Sequence, residues 1–195
     1  SGIVLQDPNH TTSIVTNDGD LTFNVDNGGA VTGETIRFEM SSSEKLRITS
    51  DGRLLIGSSS VRAVGGSSAS SHLQIEGTST NSSSISVINN QNADNCAVFR
   101  FAKTRGTSTG AVTTVADGDF LGAILFGGAD GTDLENDTAR IGVVVNGTVS
   151  GNTIPTDMTF ETSATNGNSR EEALRITSAG DLLVNHTTGR GVGNG

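Results

Sequence analysis

Leu46-Arg47-Ile48-Thr49-Ser50-Asp51-Gly52-Arg53-Leu54-Leu55-Ile56-Gly57 returns later in the chain as Leu174-Arg175-Ile176-Thr177-Ser178-Ala179-Gly180-Asp181-Leu182-Leu183-Val184-Asn185, identical at eight of twelve positions. In Leu-Arg-Ile-Thr, apolar and polar side chains alternate with the period of a strand, so Leu46 and Ile48 face one way and Arg47 and Thr49 the other. Ser50-Asp51-Gly52 and Ser178-Ala179-Gly180 place a Gly where a tight turn needs positive φ. Leu54 and Ile56, or Leu182 and Val184, then resume the alternation. Each copy therefore reads as strand, turn, strand. Upstream of each lies a further strand carrying Phe-Glu, Ile36-Arg37-Phe38-Glu39-Met40 and Met158-Thr159-Phe160-Glu161-Thr162. The spacer after the second Phe-Glu is longer, as a surface loop permits. Gly19-Asp20-Leu21-Thr22-Phe23-Asn24-Val25 is a weaker third echo. Ser169-Arg170-Glu171-Glu172 has helix capping-box spacing, but a Gly five residues after Arg175 leaves little room for a helix, and a strand is expected.

The same pattern continues between the repeats. Strands are predicted at Leu73-Gln74-Ile75-Glu76, Ser84-Ile85-Ser86-Val87-Ile88, Ala97-Val98-Phe99-Arg100-Phe101-Ala102, Phe120-Leu121-Gly122-Ala123-Ile124-Leu125-Phe126 and Ile141-Gly142-Val143-Val144-Val145, each bounded by Gly, Asn, Asp or Ser. Every Phe falls in a predicted strand. The expected organisation is an N-terminal β module over 1–57, a Ser/Gly-rich linker over 58–71, a β-rich module over 72–186 ending in the second repeat, and a flexible Gly-rich tail over 187–195. Ser1-Gly2 carries no visible secretion signal, and both ends read as cuts in a longer or processed polypeptide.

Composition agrees with an all-β chain. Gly, Thr, Ser and Asn make up 90 of 195 residues, hydrophobic residues 33% and aromatics 4%, all of them Phe. Such residues are neutral to poor in helix interiors, which excludes a helical bundle. No stretch approaches the ~18 apolar residues of a membrane span, so no membrane insertion is expected. The net charge of -9 and pI near 4.6, with scattered cations, argue against a nucleic-acid partner. Cys96, the single cysteine, permits no intrachain disulfide and is expected to be a small buried hydrophobe. Few strands carry more than two or three bulky apolar residues, so one chain would bury little against the entropy of ordering it. The remedy is assembly: an elongated, intertwined or side-by-side homotrimer whose chains share a core.

Glu44 to Gly57 and Glu172 to Asn185, with Lys103-Thr104-Arg105-Gly106-Thr107, Gly118-Asp119-Phe120-Leu121-Gly122 and Gly127-Gly128-Ala129-Asp130-Gly131-Thr132-Asp133-Leu134, resemble motifs of tail fibres and related structural proteins of tailed bacteriophages. The likeness spans about 73–185 and the first repeat. It implies a trimeric, β-rich fibre segment on the virion surface, contributing to host attachment, while the residues themselves point to no enzyme. The implied partners are its own copies, other virion tail or capsid proteins, and a bacterial surface glycan or outer-membrane protein. Such proteins often continue into a self-cleaving chaperone domain, of which no counterpart is visible. The alternatives are a capsid-attached fibre or decoration protein, a polysaccharide-degrading tailspike and a bacterial adhesin.

Receptor contact is expected in polar loops, at Asn89, Asn90, Asn92 and Asp94 and at Asp130, Thr132, Asp133, Asn136 and Asp137. The second loop concentrates the oxygen ligands that Ca²⁺ prefers but lacks EF-hand spacing, so side-chain-to-backbone turn bonds are the preferred reading and no metal is assigned. Asp117/Asp119 and Glu171/Glu172 are carboxylate pairs, yet neighbours on a strand face opposite ways, and the absence of Trp and Tyr removes the usual sugar platforms. His10, His72 and His186 stand singly, and neither Gly65-Gly66 nor Gly127-Gly128 leads into a phosphate loop. No catalytic, cofactor or metal residue is assigned.

Overall fold

Both repeats fold as the strand-turn-strand units that their alternation predicts. In the computed structural model the described residues are 4–7, 10–17, 20–24, 33–66, 70–163 and 169–185, the first three stretches as backbone only. Among them run β1 (Val4–Asp7), β2 (His10–Asn17), β3 (Asp20–Asn24), β4 (Ile36–Met40), β5 (Ser43–Ile48), β6 (Leu54–Ile56), β7 (Leu73–Ile75), β8 (Phe120–Gly127), β9 (Asp137–Val145), β10 (Thr156–Ser163), β11 (Arg170–Ile176) and β12 (Leu182–Val184), with one 3-10 turn at Thr80–Ser82. The strands form three sheets, ordered β1-β2-β3, β4-β5-β6-β7 and β12-β11-β10-β9-β8. All pairs are antiparallel except β6 with β7. The chain divides into two units, 1–62 with 70–86, and 63–69 with 87–195.

The turns of the two repeats match bond for bond. Gly52 N–H donates to Thr49 C=O and Thr49 N–H to Arg53 C=O, and the same bonds join Gly180 to Thr177 and Thr177 to Asp181, all at 2.9 Å. Gly52 and Gly180 take φ of 79° and 90°, closing a three-residue hairpin loop in which the third residue is left-handed. Thr49 Oγ1 and Thr177 Oγ1 each accept from the N–H four residues on, at 3.0 Å. The match persists to the ends of the repeats: Gly57 and Asn185 both leave with positive φ and donate to the carbonyls of Lys45 and Ala173. Gly and Asn are the residues that tolerate this conformation best.

Side-chain faces follow from the register. On β4 to β7, Ile36, Ile48, Leu54 and Leu73 form one row across the sheet and Phe38, Leu46, Ile56 and Ile75 the next, all on one face. On β8 to β12 the corresponding rows are Gly122, Val143, Met158, Ile176, Leu182 and Ile124, Ile141, Phe160, Leu174, Val184. The opposite face of this second sheet carries Arg140, Asp157, Thr159, Glu161, Glu172 and Arg175.

Several expectations need correction. Ser84–Ile88 and Ala97–Ala102 are not strands. Alternation alone does not form a strand where no neighbour supplies a ladder, and Ile85, Val87, Ile88, Val98, Phe99 and Phe101 are exposed. Phe99 and Phe101 are therefore the Phe residues found outside strands, and Cys96, expected to be buried, is exposed with the segment that carries it. The strand expected over the second repeat, against the capping-box spacing at Ser169 to Glu172, is present as β11. Strand β9 begins at Asp137, four residues before the predicted start. Within 58–66, Arg62 N–H donates to Gln74 Oε1 at 3.1 Å and Gly65 N–H to Leu134 C=O at 3.0 Å. No helix among the described residues is long and apolar enough to cross a membrane.

Candidate interaction faces and loops

The repeat contains Glu-x-x-Arg, a spacing that in a regular strand would put the two side chains on opposite faces. Both copies bring them together with a β-bulge. Phe38 pairs with Leu46 but Glu39 with Glu44, leaving Lys45 as the extra residue. Likewise Phe160 pairs with Leu174 and Glu161 with Glu172, leaving Ala173 extra. One inserted residue turns the face over, so Arg47 donates through Nε and Nη2 to Glu44 at 2.8 and 2.6 Å. Arg175 does the same to Glu172 at 2.8 and 2.5 Å. The fork geometry is the strong form of this pair. It raises the Arg47 and Arg175 guanidinium values and lowers that of Glu44.

In the second sheet this pair joins a buried polar layer. Asp157 is 0% and Thr159 1% exposed. Asp157 Oδ2 accepts from Arg175 Nη1 and Asn146 Nδ2, both at 2.6 Å, and Oδ1 from Ser178 N–H at 2.8 Å. Burial would push the Asp157 carboxyl up; Arg175, the Ser178 N–H and Asn146 outweigh it, and the value falls below the ordinary one. Beside it Arg140 Nη2 donates to Glu161, Arg170 Nη1 donates to the Asp137 carbonyl at 2.7 Å, and the Arg140 guanidinium lies 3.9 Å from the Phe120 ring centre.

The apolar faces are the exposed ones. Phe38 is 56% exposed, Leu182 62% and Val184 61%, and Met40, Leu73, Ile124 and Met158 are exposed with them. The hydrophobic residues buried among those described are Leu55, Val115, Val144 and Val145. The two sheets that carry the repeats thus leave their apolar rows exposed or half-buried, and the sheet of β8 to β12 buries its charged one. Over part of the second apolar face lie Phe99 and Phe101, edge to face with centres 5.2 Å apart. With Leu121, Ile124, Ile141, Val143 and Met158 they line a groove of about 400 Å³.

The residues expected to contact a receptor fall in two loops, each organised by its own side chains. Asn89, Asn90, Asn92 and Asp94 are exposed. Asn89 Oδ1 accepts from Gln91 N–H at 3.1 Å, and its Nδ2 donates to the Asn95 carbonyl at 3.3 Å. In the second loop Asp130, Thr132 and Asp133 are exposed, and Asn136 and Asp137 half-buried. Asp130 Oδ1 accepts from the N–H groups of Thr132 and Asp133 at 2.8 and 3.2 Å, and Oδ2 from Asn136 Nδ2 at 3.1 Å. These bonds, that from Thr132 foremost, hold its carboxyl below the ordinary value. Asp137 Oδ2 accepts from Gly66 N–H at 3.1 Å and so anchors a neighbouring segment.

Of the acidic pairs, Asp117, Asp119 and Glu172 are engaged in structure. Asp119 is gripped by Arg105 at 2.7 and 3.0 Å and accepts from Ala116 N–H at 2.9 Å, with Arg105 the chief cause of its lowered value. Asp117 Oδ1 accepts from Gly147 N–H at 2.7 Å. Glu172 belongs to the bulge pair, while Glu171 lies opposite Thr162 and is exposed. His72 is exposed, the side chain of His10 is not described, and His186 lies outside the described residues. Among the described residues no three His, Cys, Asp or Glu side chains are placed to hold a metal ion. Sequence reading missed the buried Asp157 and the inversion of faces. The Glu-x-x-Arg spacing in both copies was the signal for the bulge, because it fits a shared face only with an inserted residue.

No family model and no curated protein matches this sequence. Among solved structures, the chain is similar in fold to the carboxy-terminal domain of the bacteriophage T5 L-shaped tail fibre, with a TM-score of 0.64 and 16% identity, over 100% of this chain and 83% of that one. It is also similar to that domain solved with its intramolecular chaperone domain, at TM-score 0.61 and 14% identity. There it covers 98% of this chain and 57% of that one, so this chain spans little more than half of the longer structure. The all-β fold expected from the repeat is thus the fold of a phage tail-fibre domain.

Proposed function

We propose that this chain is a structural segment of a bacteriophage tail fibre, assembled as a homotrimer at the virion surface and contributing to attachment to the host. The observation that carries the reading is the likeness to a tail-fibre domain along the whole chain. The exposure of Phe38, Met40, Leu73, Leu182 and Val184 supports the assembly, since apolar side chains gathered on exposed faces invite a partner. Attachment is assigned to the Asn89–Asp94 and Asp130–Asp137 loops, whose internally hydrogen-bonded polar tips suit a surface glycan or outer-membrane protein, and no catalysis is assigned. Light scattering on the purified chain should give three times the chain mass, and antibody-labelled particles should carry label at the tail. A monomer, label on the capsid alone, or release of reducing ends from host polysaccharide would each overturn the part of the reading it addresses.

A further inference from the structure

We infer that each repeat carries its own self-association face, the apolar rows of β4 to β7 in one unit and of β8 to β12 in the other, and that a second copy of this chain covers both. The inference rests on the reading that copies assemble, and it names where they meet. Three observations point to a copy as the occupant. The named rows contain no charged side chain, Glu171 lying one row further on, opposite Thr162, so a chain of net charge -9 can approach itself over those rows without like-charge repulsion. The charges of the repeat have been drawn to the opposite face by the bulge, and there they are paired. The same apolar rows occur in both units of one chain, so a copy of that chain presents a matching face to each.

The test is thiol accessibility in the whole protein. In a Cys96→Ser background, Phe38→Cys and Leu182→Cys probe the two faces, and Arg37→Cys and Asn92→Cys serve as exposed controls. Residues 38 and 182 are more than half exposed in the single chain, so slow labelling there reports an occupant. Maleimide labelling at both should be about tenfold slower or more than at the controls, because an interface core excludes solvent. Phe38→Asp and Leu182→Asp should each lower the assembled fraction measured by light scattering, while circular dichroism retains its strand signal. Assembly by light scattering with control-like labelling at both faces overturns this inference and leaves the trimer reading standing. A monomer sinks both, and protection in a monomer would mean that the chain covers its own faces, which also overturns it.

Discussion

Asp157 remains charged in a fully buried position because four groups have been arranged around it: Arg175, Asn146, the Ser178 N–H and, through Arg175, Glu172. Asp157→Ala leaves a guanidinium, an amide and an N–H without their acceptor, and should cost about 3 kcal/mol in urea unfolding. The more exposed Arg47–Glu44 pair should lose less on Glu44→Ala. The sign with pH follows from the lowered carboxyls of Asp157 and Asp119, whose ordinary value is near 3.8. Below that value the unfolded chain takes up protons that the native chain refuses. Stability is therefore fully present above the ordinary value and declines as acid carries the pH down through the lowered native ones. Urea midpoints should be level from about pH 7 to about pH 5 and fall below about pH 4, less steeply in Asp157→Asn; identical slopes would remove Asp157 from this account. Gly57 is a second sensitive residue: with φ of 80° and an added Cβ 2.1 Å from the Glu76 carbonyl oxygen, Gly57→Ala should destabilise by about 2 kcal/mol or more in the same assay.

The bulge decides what each repeat does with its charges. Deleting Lys45 would leave Glu44 and Arg47 two residues apart on a regular strand, still on one face, so the ion pair and the apolar rows survive and the bond from Gly57 N–H to the Lys45 carbonyl is lost. The deletion should therefore keep amide-exchange protection across β4 to β6, as should Lys45→Ala; loss of protection in the deletion alone would mean that the bulge itself is required. The equivalent deletion of Ala173 removes the acceptor of the Asn185 N–H but should likewise keep Arg175 on the face of the buried Asp157. Much at this scale was legible in the sequence, because period-two alternation and a Gly at a fixed offset specify strand and turn locally. Leu46 to Gly57 and Leu174 to Asn185 fold as read, with Gly52 and Gly180 left-handed in the turns. The strands expected at Ser84–Ile88 and Ala97–Ala102 failed for a physical reason: alternation specifies that a strand has two faces, but a ladder also needs a neighbour, which local sequence does not name. The same gap hid the inversion of the sheets. Rows such as Phe38 and Leu46 read as core, yet periodicity does not say whether the core they enter belongs to one chain or to several. The Asp130 loop forms the side-chain-to-backbone turn bonds read for it, whereas the Asn89 loop was visible as a polar cluster whose internal bonds depend on geometry that composition does not carry.

At the scale of the molecule, exposed apolar rows and a buried charged layer are opposite to what a free-standing domain needs, since burial of apolar surface is the chief favourable contribution to folding. A chain built this way should owe much of its stability to its neighbours, and stability should then obey mass action. If three folded chains unfold to three separate ones, each tenfold rise in protein concentration stabilises the assembly by about 2.7 kcal/mol per trimer. The urea midpoint under reversible conditions should accordingly move upward over a hundredfold concentration series, and Leu182→Asp, by weakening one face, should lower the whole series while its slope with concentration persists for as long as unfolding and dissociation remain one step. A midpoint independent of concentration would mean that the single chain holds its own core. Among the described residues the four buried hydrophobic ones, Leu55, Val115, Val144 and Val145, are too few for that, so the dependence on concentration is the expected result.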